Sequence, residues 1–358
     1  MKISISKKLL LDSITPLQSI IAENNIIPAL RCVKIDFEKN GFTVTGNNLE
    51  VCYTKKIAAK FDEPVSMCLN YSMLISILKN VGDKEINLNY KHPFVMLMHK
   101  KGQFKIPVEN SADFPMAAEQ TYGSKFTVSG SDLKGSLKVA NRFVANDDVD
   151  LTSNICISIE DKAYVRATDK VRLYEEKLKA KGDKGNLLIS GKSSIALHSL
   201  IEDDDLEVEY GKSSAKIVFN KAIITVVQAN GDFPVQMFKK IIGSVKEGQP
   251  FKVDQKELVE GLKRAAIFAN REKNGSLKLV FDKTNLEISF EGESLNSKVV
   301  ENIAVKTKIK ETFGYNPKYL LEILSVFDTE VDLKINKLGG FCIEQKKKVG
   351  MIAPVMLK

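Results

Sequence analysis

No stretch of the chain is both long and apolar enough to reach across a bilayer. The opening residues, MKISISKKLLLDSITPLQ, are basic and then apolar, but Asp12 and Ser13 interrupt the apolar part and no small-residue cleavage site follows. That pattern reads as a strand and a helix, not as a secretory signal. Histidine is scarce. His92, His99 and His198 stand apart from acids at metal-ligand spacing, which argues against a zinc site. The five cysteines (Cys32, Cys52, Cys68, Cys156 and Cys342) are odd in number, form no CxxC pair and mostly lie inside apolar runs such as NICISI and GGFCIE. Buried free thiols in a reducing compartment, hence a cytoplasmic protein, are the expectation. A complete phosphate-binding loop is also missing. GDKGN at 182–186 lacks the Lys-Ser/Thr ending, and GNLLISGKS at 185–193 has an apolar strand, LLIS, where the wrapping loop belongs. The acids Glu202-Asp203-Asp204-Asp205 form one run after a helix, as solvated loop charges do. With no catalytic group, metal or cofactor to nominate, an enzyme is not expected.

What is present is ordinary in bulk. Hydrophobic residues make up 44% and charged residues 27%, as in a globular protein, and 358 residues suffice for two or three domains. The net charge of +8 permits a polyanionic partner without demanding one.

The informative feature is repetition. Asp-Phe-Pro closes two strand-rich segments, QFKIPVENSADFP ending at 115 and AIITVVQANGDFP ending at 234. After each, the chain restarts as it began. KISISKKLLLDSITPLQSI, KFTVSGSDLKGSLKVANRF and FKVDQKELVEGLKRAAIFA are each a short alternating strand, a polar turn and an amphipathic helix. Ser6, then Ser131 or Asp132, then Asp254 with Glu257, supply capping chemistry, and Leu258, Leu262, Ala265 and Ala266 recur at helical spacing. Alternating strands follow in each copy, for example CVKIDF, NICISIE and SLKLVFD. A second helix then appears at 71–81, 192–201 and 316–327, the last opening with Asn-Pro, and leads into further strands. Each third is therefore two strand–helix–strands units of α+β class. The domains fall at 1–123, 124–248 and 249–358, with proline ending the last strand of the first two.

The order of several segments carries a resemblance. MKISISKKLLLDSITPLQ, IIPAL at 26–30, TGNNLEV at 45–51, the two Asp-Phe-Pro segments, ATDKVRL at 167–173, RAAIFANREK at 264–273, YNPKYLLEIL at 315–324 and the APVML tail resemble the bacterial DNA polymerase III beta subunit, the sliding clamp family, over essentially the whole chain. The resemblance implies three clamp domains per chain. Two chains would close head to tail into a six-domain ring around double-stranded DNA, with no membrane association. It implies a homodimer that binds DNA without regard to sequence. Its partners would be the replicative DNA polymerase, a clamp loader and repair factors carrying clamp-binding peptides.

Site residues follow from the same resemblance. A partner-peptide groove between the second and third domains would use Thr168, Lys170, Val171, Arg172, Leu173 and Pro234. The third domain would add Asn316, Tyr319, Leu338, Met351, Ala353, Pro354, Val355, Met356 and Leu357. DNA would face Lys7, Lys8, Lys134, Lys138, Arg142, Lys256, Lys263, Arg264 and Arg271 on the first helices, and Lys79, Lys192 and Lys318 on the second. Closure would use Lys101, Gln103, Phe104 and Ile106 against Ile267, Phe268, Lys298 and Glu301 of another chain. The chain departs from the family in places. Asn24 and Asn146-Asp147-Asp148 stand at DNA-contacting loops, and TSN surrounds Ser153. VQMFKKII follows Pro234, Lys298 lies between Glu293 and Glu301, and Lys358 adds a charged end. These departures imply a groove of altered preference and a thinner ionic seal. They leave open a divergent, non-ring paralogue acting as a protein-interaction scaffold.

Overall fold

The computed structural model describes residues 2–118, 120–145, 151–273, 275–292, 297–327 and 331–357. The positions 146–148, Glu293 and Lys358 singled out above lie outside the described residues. The chain clusters into two compact units. One comprises Met1–Lys138, Ile159–Asp161 and Lys179–Asn230; the other comprises Val139–Ser158, Lys162–Leu178 and Gly231–Lys358.

Seven α-helices lie among the described residues: α1 Lys7–Ile14, α2 Tyr71–Asn80, α3 Gly130–Ala140, α4 Gly191–Leu200, α5 Val235–Lys246, α6 Gln255–Ala269 and α7 Pro317–Leu324. Side chains fix most of their starts by satisfying otherwise orphaned N–H groups. Ser6 accepts from Leu9 at 3.4 Å, Asn70 from Met73 at 2.9 Å and Ser190 from Ser193 at 3.0 Å. Asp254 accepts from Glu257 at 2.9 Å. Asn316 accepts from Lys318 and Tyr319 at 3.0 and 3.3 Å, with Pro317 at the first helical position. In the second copy the helix begins at Gly130. Ser131 and Asp132 therefore lie inside its first turn, not at its cap, and Asp132 faces the positive end of the helix dipole.

In the first unit one antiparallel sheet runs from Lys2–Ser6 to Ala180–Gly182. Near its middle, Val51–Ala58 pairs with Gly41–Asn47 on one side and Ala222–Val227 on the other. In the second unit Ala163–Thr168 pairs with Arg172–Leu178, which pairs with Lys348–Ile352. Phe341–Gln345, Asp332–Ile335, Gln249–Val253, Lys298–Thr307, Asn285–Glu291 and Leu277–Asp282 continue the order. Alternation matches burial: Lys2–Ser6 buries Ile3 and Ile5, and Leu277–Asp282 buries Leu277, Leu279 and Phe281. On α6, Leu258, Leu262, Ala265 and Ala266 form the buried stripe against the sheet.

The Asp-Phe-Pro segments act as anchors more than as strand stops. The preceding strands end earlier, at Glu109 and Val227. Phe114 is buried against Cys32 and Cys68, and Phe233 packs on Phe238 with ring centroids 5.7 Å apart.

Candidate interaction sites

A cleft of about 810 Å³ opens within the second unit. One side is the turn between Ala163–Thr168 and Arg172–Leu178. Lys170 sits there at φ 76°, with its N–H donating to Thr168 Oγ1 at 3.1 Å. The N–H groups of Val171 and Arg172 donate to Asp169 Oδ1 at 3.0 and 2.6 Å. The short side chain of Asp169 thus replaces missing ladder bonds and makes a left-handed non-glycine residue tolerable. Thr168, Lys170, Val171 and Leu173 face the cleft from this turn. Met351, directly opposite Leu173 in the sheet, faces it too, with Ala353 and Pro354 beyond. Pro234 and Leu338 close two further sides.

The remaining wall is α5, which sequence reasoning missed. Phe238, Ile242 and Val245 form its buried stripe over Asp332–Ile335, Phe341–Gln345 and Lys348–Ile352. Met237, Lys240, Ile241 and Ser244 form the adjacent stripe and line the cleft. The lining is aliphatic and methionine-rich. Its only charged side chains are Lys170 and Lys240; no described lining residue is acidic.

Six residues assigned to the groove do not line it. Arg172 is buried beneath the wall. Its guanidinium is held by Asp169 at 2.7 Å and Glu322 at 2.7 Å, and it lies 4.3 Å from the ring centroid of Tyr319. Tyr319 is therefore a stacking partner for Arg172, and Asn316 is the cap of α7. Val355 donates its N–H to the Gly314 carbonyl at 2.8 Å, and Met356 and Leu357 extend, exposed, beyond it.

Several of the basic residues make contacts within the chain. Lys7 Nζ donates to the Val81 carbonyl at 2.7 Å, and Lys134 lies 3.9 Å from Asp203. Arg142 donates to Ser325 Oγ at 2.8 Å and lies 3.5 Å from Glu322. Arg264 makes a two-pronged pair with Glu301 at 2.9 and 2.8 Å. Those hydrogen bonds hold the Glu301 carboxyl below the usual carboxylate range. Lys8, Lys79, Lys138, Lys192, Lys256, Lys263, Arg271 and Lys318 are exposed, as is Asn24.

Two strand segments are paired on one side only among the described residues. Gly102–Pro107 pairs with Phe94–His99, whereas Val65–Asn70 reaches only Val108 and Glu109. Likewise 298–304 pairs with 285–291, whereas 251–253 reaches only 305–307. Lys101 and Gln103 are exposed beside the first edge, and Phe104 stacks on His99 at 5.6 Å. Ile106, assigned to a surface contact, is fully buried instead, because its face of the strand turns into the core. Beside the second edge Ile267 and Val300 are exposed, Phe268 is half-buried and Lys298 lies 3.7 Å from Glu291.

The loop-like GNLLISGKS is strand Gly185–Ser190 running into α4. Where a phosphate would meet the helix start, the chain's own Glu50 accepts from Ser190 and Ser193 hydroxyls at 3.3 and 3.1 Å. The nearby acid Glu202 is likewise engaged, by Lys55 and by Asn220 at 3.1 Å.

Residues 1–118 match the family described as DNA polymerase III beta subunit, N-terminal domain, and residues 246–350 match DNA polymerase III beta subunit, C-terminal domain. The beta sliding clamp of Staphylococcus epidermidis is 21% identical over 354 residues, covering 92% of this chain and 91% of that one. The beta sliding clamp of Rickettsia felis is 22% identical over 389 residues and 99% of each chain. Among solved structures, the DNA polymerase sliding clamp of Pseudomonas aeruginosa superposes with a TM-score of 0.91 at 19% identity, and that of Bacillus subtilis with 0.88 at 19%. Both cover 100% of each chain.

Proposed function

This chain belongs to the DNA polymerase III beta subunit, or beta sliding clamp, family, and from that premise we propose that two copies close head to tail into a ring around duplex DNA. The family is non-catalytic and serves DNA replication as the processivity factor of DNA polymerase III. In this reading three domains per chain, at 1–123, 124–248 and 249–358, give six around the ring. The ring retains the polymerase by topology, so its DNA contacts need only be electrostatic and indifferent to sequence. The eight exposed cations supply such contacts; Arg142 and Arg264, already paired, contribute less. The site of action is the cytoplasm.

The observation that carries the reading is the pair of one-sided strand edges, Gly102–Pro107 and residues 298–304. An unpaired edge left open invites aggregation, and pairing it with the complementary edge of a second copy removes both liabilities. The apolar cleft of the second unit then serves as the docking groove for short peptides of the polymerase, the loader and repair factors. Its two lysines, with no acid among the described lining residues, favour peptides that carry an acidic residue beside apolar anchors.

One observation favours the scaffold reading instead: Glu301, an acid available for closure, is bound to Arg264 of its own chain. Light scattering of the pure protein over a dilution series decides between the two. Twice the chain mass, persisting on dilution, supports the ring. A monomer at every concentration overturns it and leaves the scaffold.

A further inference from the structure

The turn that forms one wall of the cleft has a counterpart in the first unit. Between Gly41–Asn47 and Val51–Ala58, Leu49 sits at φ 74°, against 76° for Lys170. Its N–H donates to Asn47 Oδ1 at 2.7 Å, as that of Lys170 does to Thr168. The N–H groups of Glu50 and Val51 donate to Asn48 Oδ1 at 3.0 and 2.7 Å, as those of Val171 and Arg172 do to Asp169. The two turns thus correspond residue for residue.

The correspondence extends to what the turns line. In the second unit the cleft is faced by Thr168, Lys170, Val171 and Leu173; in the first, Asn47, Leu49, Glu50 and Cys52 face a pocket of about 200 Å³. Across the sheet Leu173 is opposite Met351 and Cys52 is opposite Thr225, and both opposing residues line their cavities. Two residues further on, so do Ala353 and Val227. Each Asp-Phe-Pro segment supplies another side. Asn47 Nδ2 donates to the Pro115 carbonyl at 2.7 Å, which holds Met116 at the mouth. Among the described residues the first unit has no helix in the place of α5, and its cavity is smaller.

One property is shared with the cleft, whose rim carries the exposed Met237 and Leu338, and one is reversed. First, the mouth is apolar and open: Leu49, Met116 and Val227 are 55, 52 and 47% exposed. Large apolar side chains gathered around one opening mark a contact site more often than chance exposure does. Second, the charge is reversed. Glu50 is the one charged side chain among the described lining residues, where the cleft has two lysines; Ser190 and Ser193 both donate to its Oε2, and Oε1 is the oxygen offered to a cation. The volume lies below the roughly 300–1,000 Å³ of small-molecule sites, so it admits one anchoring side chain.

We propose that this pocket is a second docking site, for a short peptide segment of a partner that inserts one apolar side chain between Leu49, Met116 and Val227 and sets a lysine or arginine against Glu50. It rests on the reading of the larger cleft as a peptide groove, because the equivalence of the two turns is what gives the pocket its role. Opposite charge lets the two sites select different peptides without competition.

The test uses the full chain with its methionine methyl groups carbon-13 labelled and two probes, the capped tetrapeptides Arg-Leu-Phe-Arg and Asp-Leu-Phe-Asp. The arginine probe is expected to shift the Met116 methyl saturably while leaving Met237 and Met351 in place. Leu49→Asn removes the apolar rim yet suits the left-handed backbone better than leucine does, so the fold survives it. It is expected to weaken the Met116 response about tenfold or more, the loss of one well-covered side chain. A Met116 methyl unmoved by the arginine probe, or one moved equally in Leu49→Asn, overturns the proposal. The aspartate probe reports separately on the larger cleft: movement of Met237 and Met351 leaves the groove reading standing, and their silence removes both.

Discussion

Leu338 offers the cleanest separation of binding from stability. It is 80% exposed, carried on a turn in which Asn336 Oδ1 accepts the N–H groups of Leu338 and Gly340 at 3.1 and 2.8 Å. Gly339 sits at φ 81°, a conformation that favours glycine. The turn is fixed by these bonds to the Asn336 side chain, so the leucine side chain contributes little to folding. Leu338→Ala deletes three carbons. At about 0.8 kcal/mol per buried CH₂ the ceiling is about 2.4 kcal/mol, and about four-fifths of that, near 2 kcal/mol, is available for a ligand to claim. A peptide that covers the side chain should therefore bind up to about 30-fold more weakly. The change in folding stability should stay within about 0.5 kcal/mol, as for a surface position. Fluorescence anisotropy with a fluorescein-labelled Asp-Leu-Phe-Asp peptide reads the first quantity and a thermal melt reads the second. Leu173→Ala, at a buried wall position, should instead cost about 2–5 kcal/mol of stability and confound the two. An unchanged dissociation constant in Leu338→Ala, with an unchanged melt, would refute the assignment of this side chain to the groove.

Two further predictions concern the open edges. Phe104→Glu places a charge beside the edge at Gly102–Pro107, where the phenyl ring is already 37% exposed. It should yield monomer at concentrations where the unaltered chain is dimeric, with little change in melting; a persistent dimer by light scattering would remove Phe104 from the interface. Glu301 should titrate below an ordinary glutamate in carbon-13 NMR, and Arg264→Gln should return it to the ordinary range. Because the folded value is depressed, the linked stabilisation is present above the unfolded value near 4.3 and fades as pH falls through the folded one. Equal titration in both proteins would show that the pair is not maintained in solution.

Much of the architecture was legible because local signals agreed. The six helices of the repeat begin or run where polar caps precede 3.6-residue periodicity; strands such as Lys2–Ser6 and Leu277–Asp282 alternate as written, whereas Asn154–Ile159 is buried on both faces. The α3 start was misplaced because Ser129, Gly130, Ser131 and Asp132 offer several capping frames in a row. Helix α5 was missed for a different reason. Pro234 provides no capping side chain and Gly243 interrupts the pattern, although Phe238, Ile242 and Val245 at helical spacing were a usable signal. One wall of the cleft went unread with it. Arg172 and Tyr319 were legible as groove neighbours but not as a stacked pair, since burial of the arginine charge depends on the distant Glu322. Ile106 shows the same limit: parity places it on the same face as Phe104, but what covers that face comes from elsewhere in the chain.

The division of α5 into two stripes has an evolutionary consequence. Phe238, Ile242 and Val245 are buried and hold the helix in place, Phe238 and Val245 reaching the cleft floor, while the exposed Met237, Lys240 and Ser244 meet the cleft from the surface. Mutations in the second set can accumulate without touching the first. A lineage can therefore drift toward new client proteins one substitution at a time, each intermediate still folding. The buried Arg172 cluster sets the opposite rule, because changing any one member strands the charges of the others. Adaptation in this protein should run along the helix and stop at the turn.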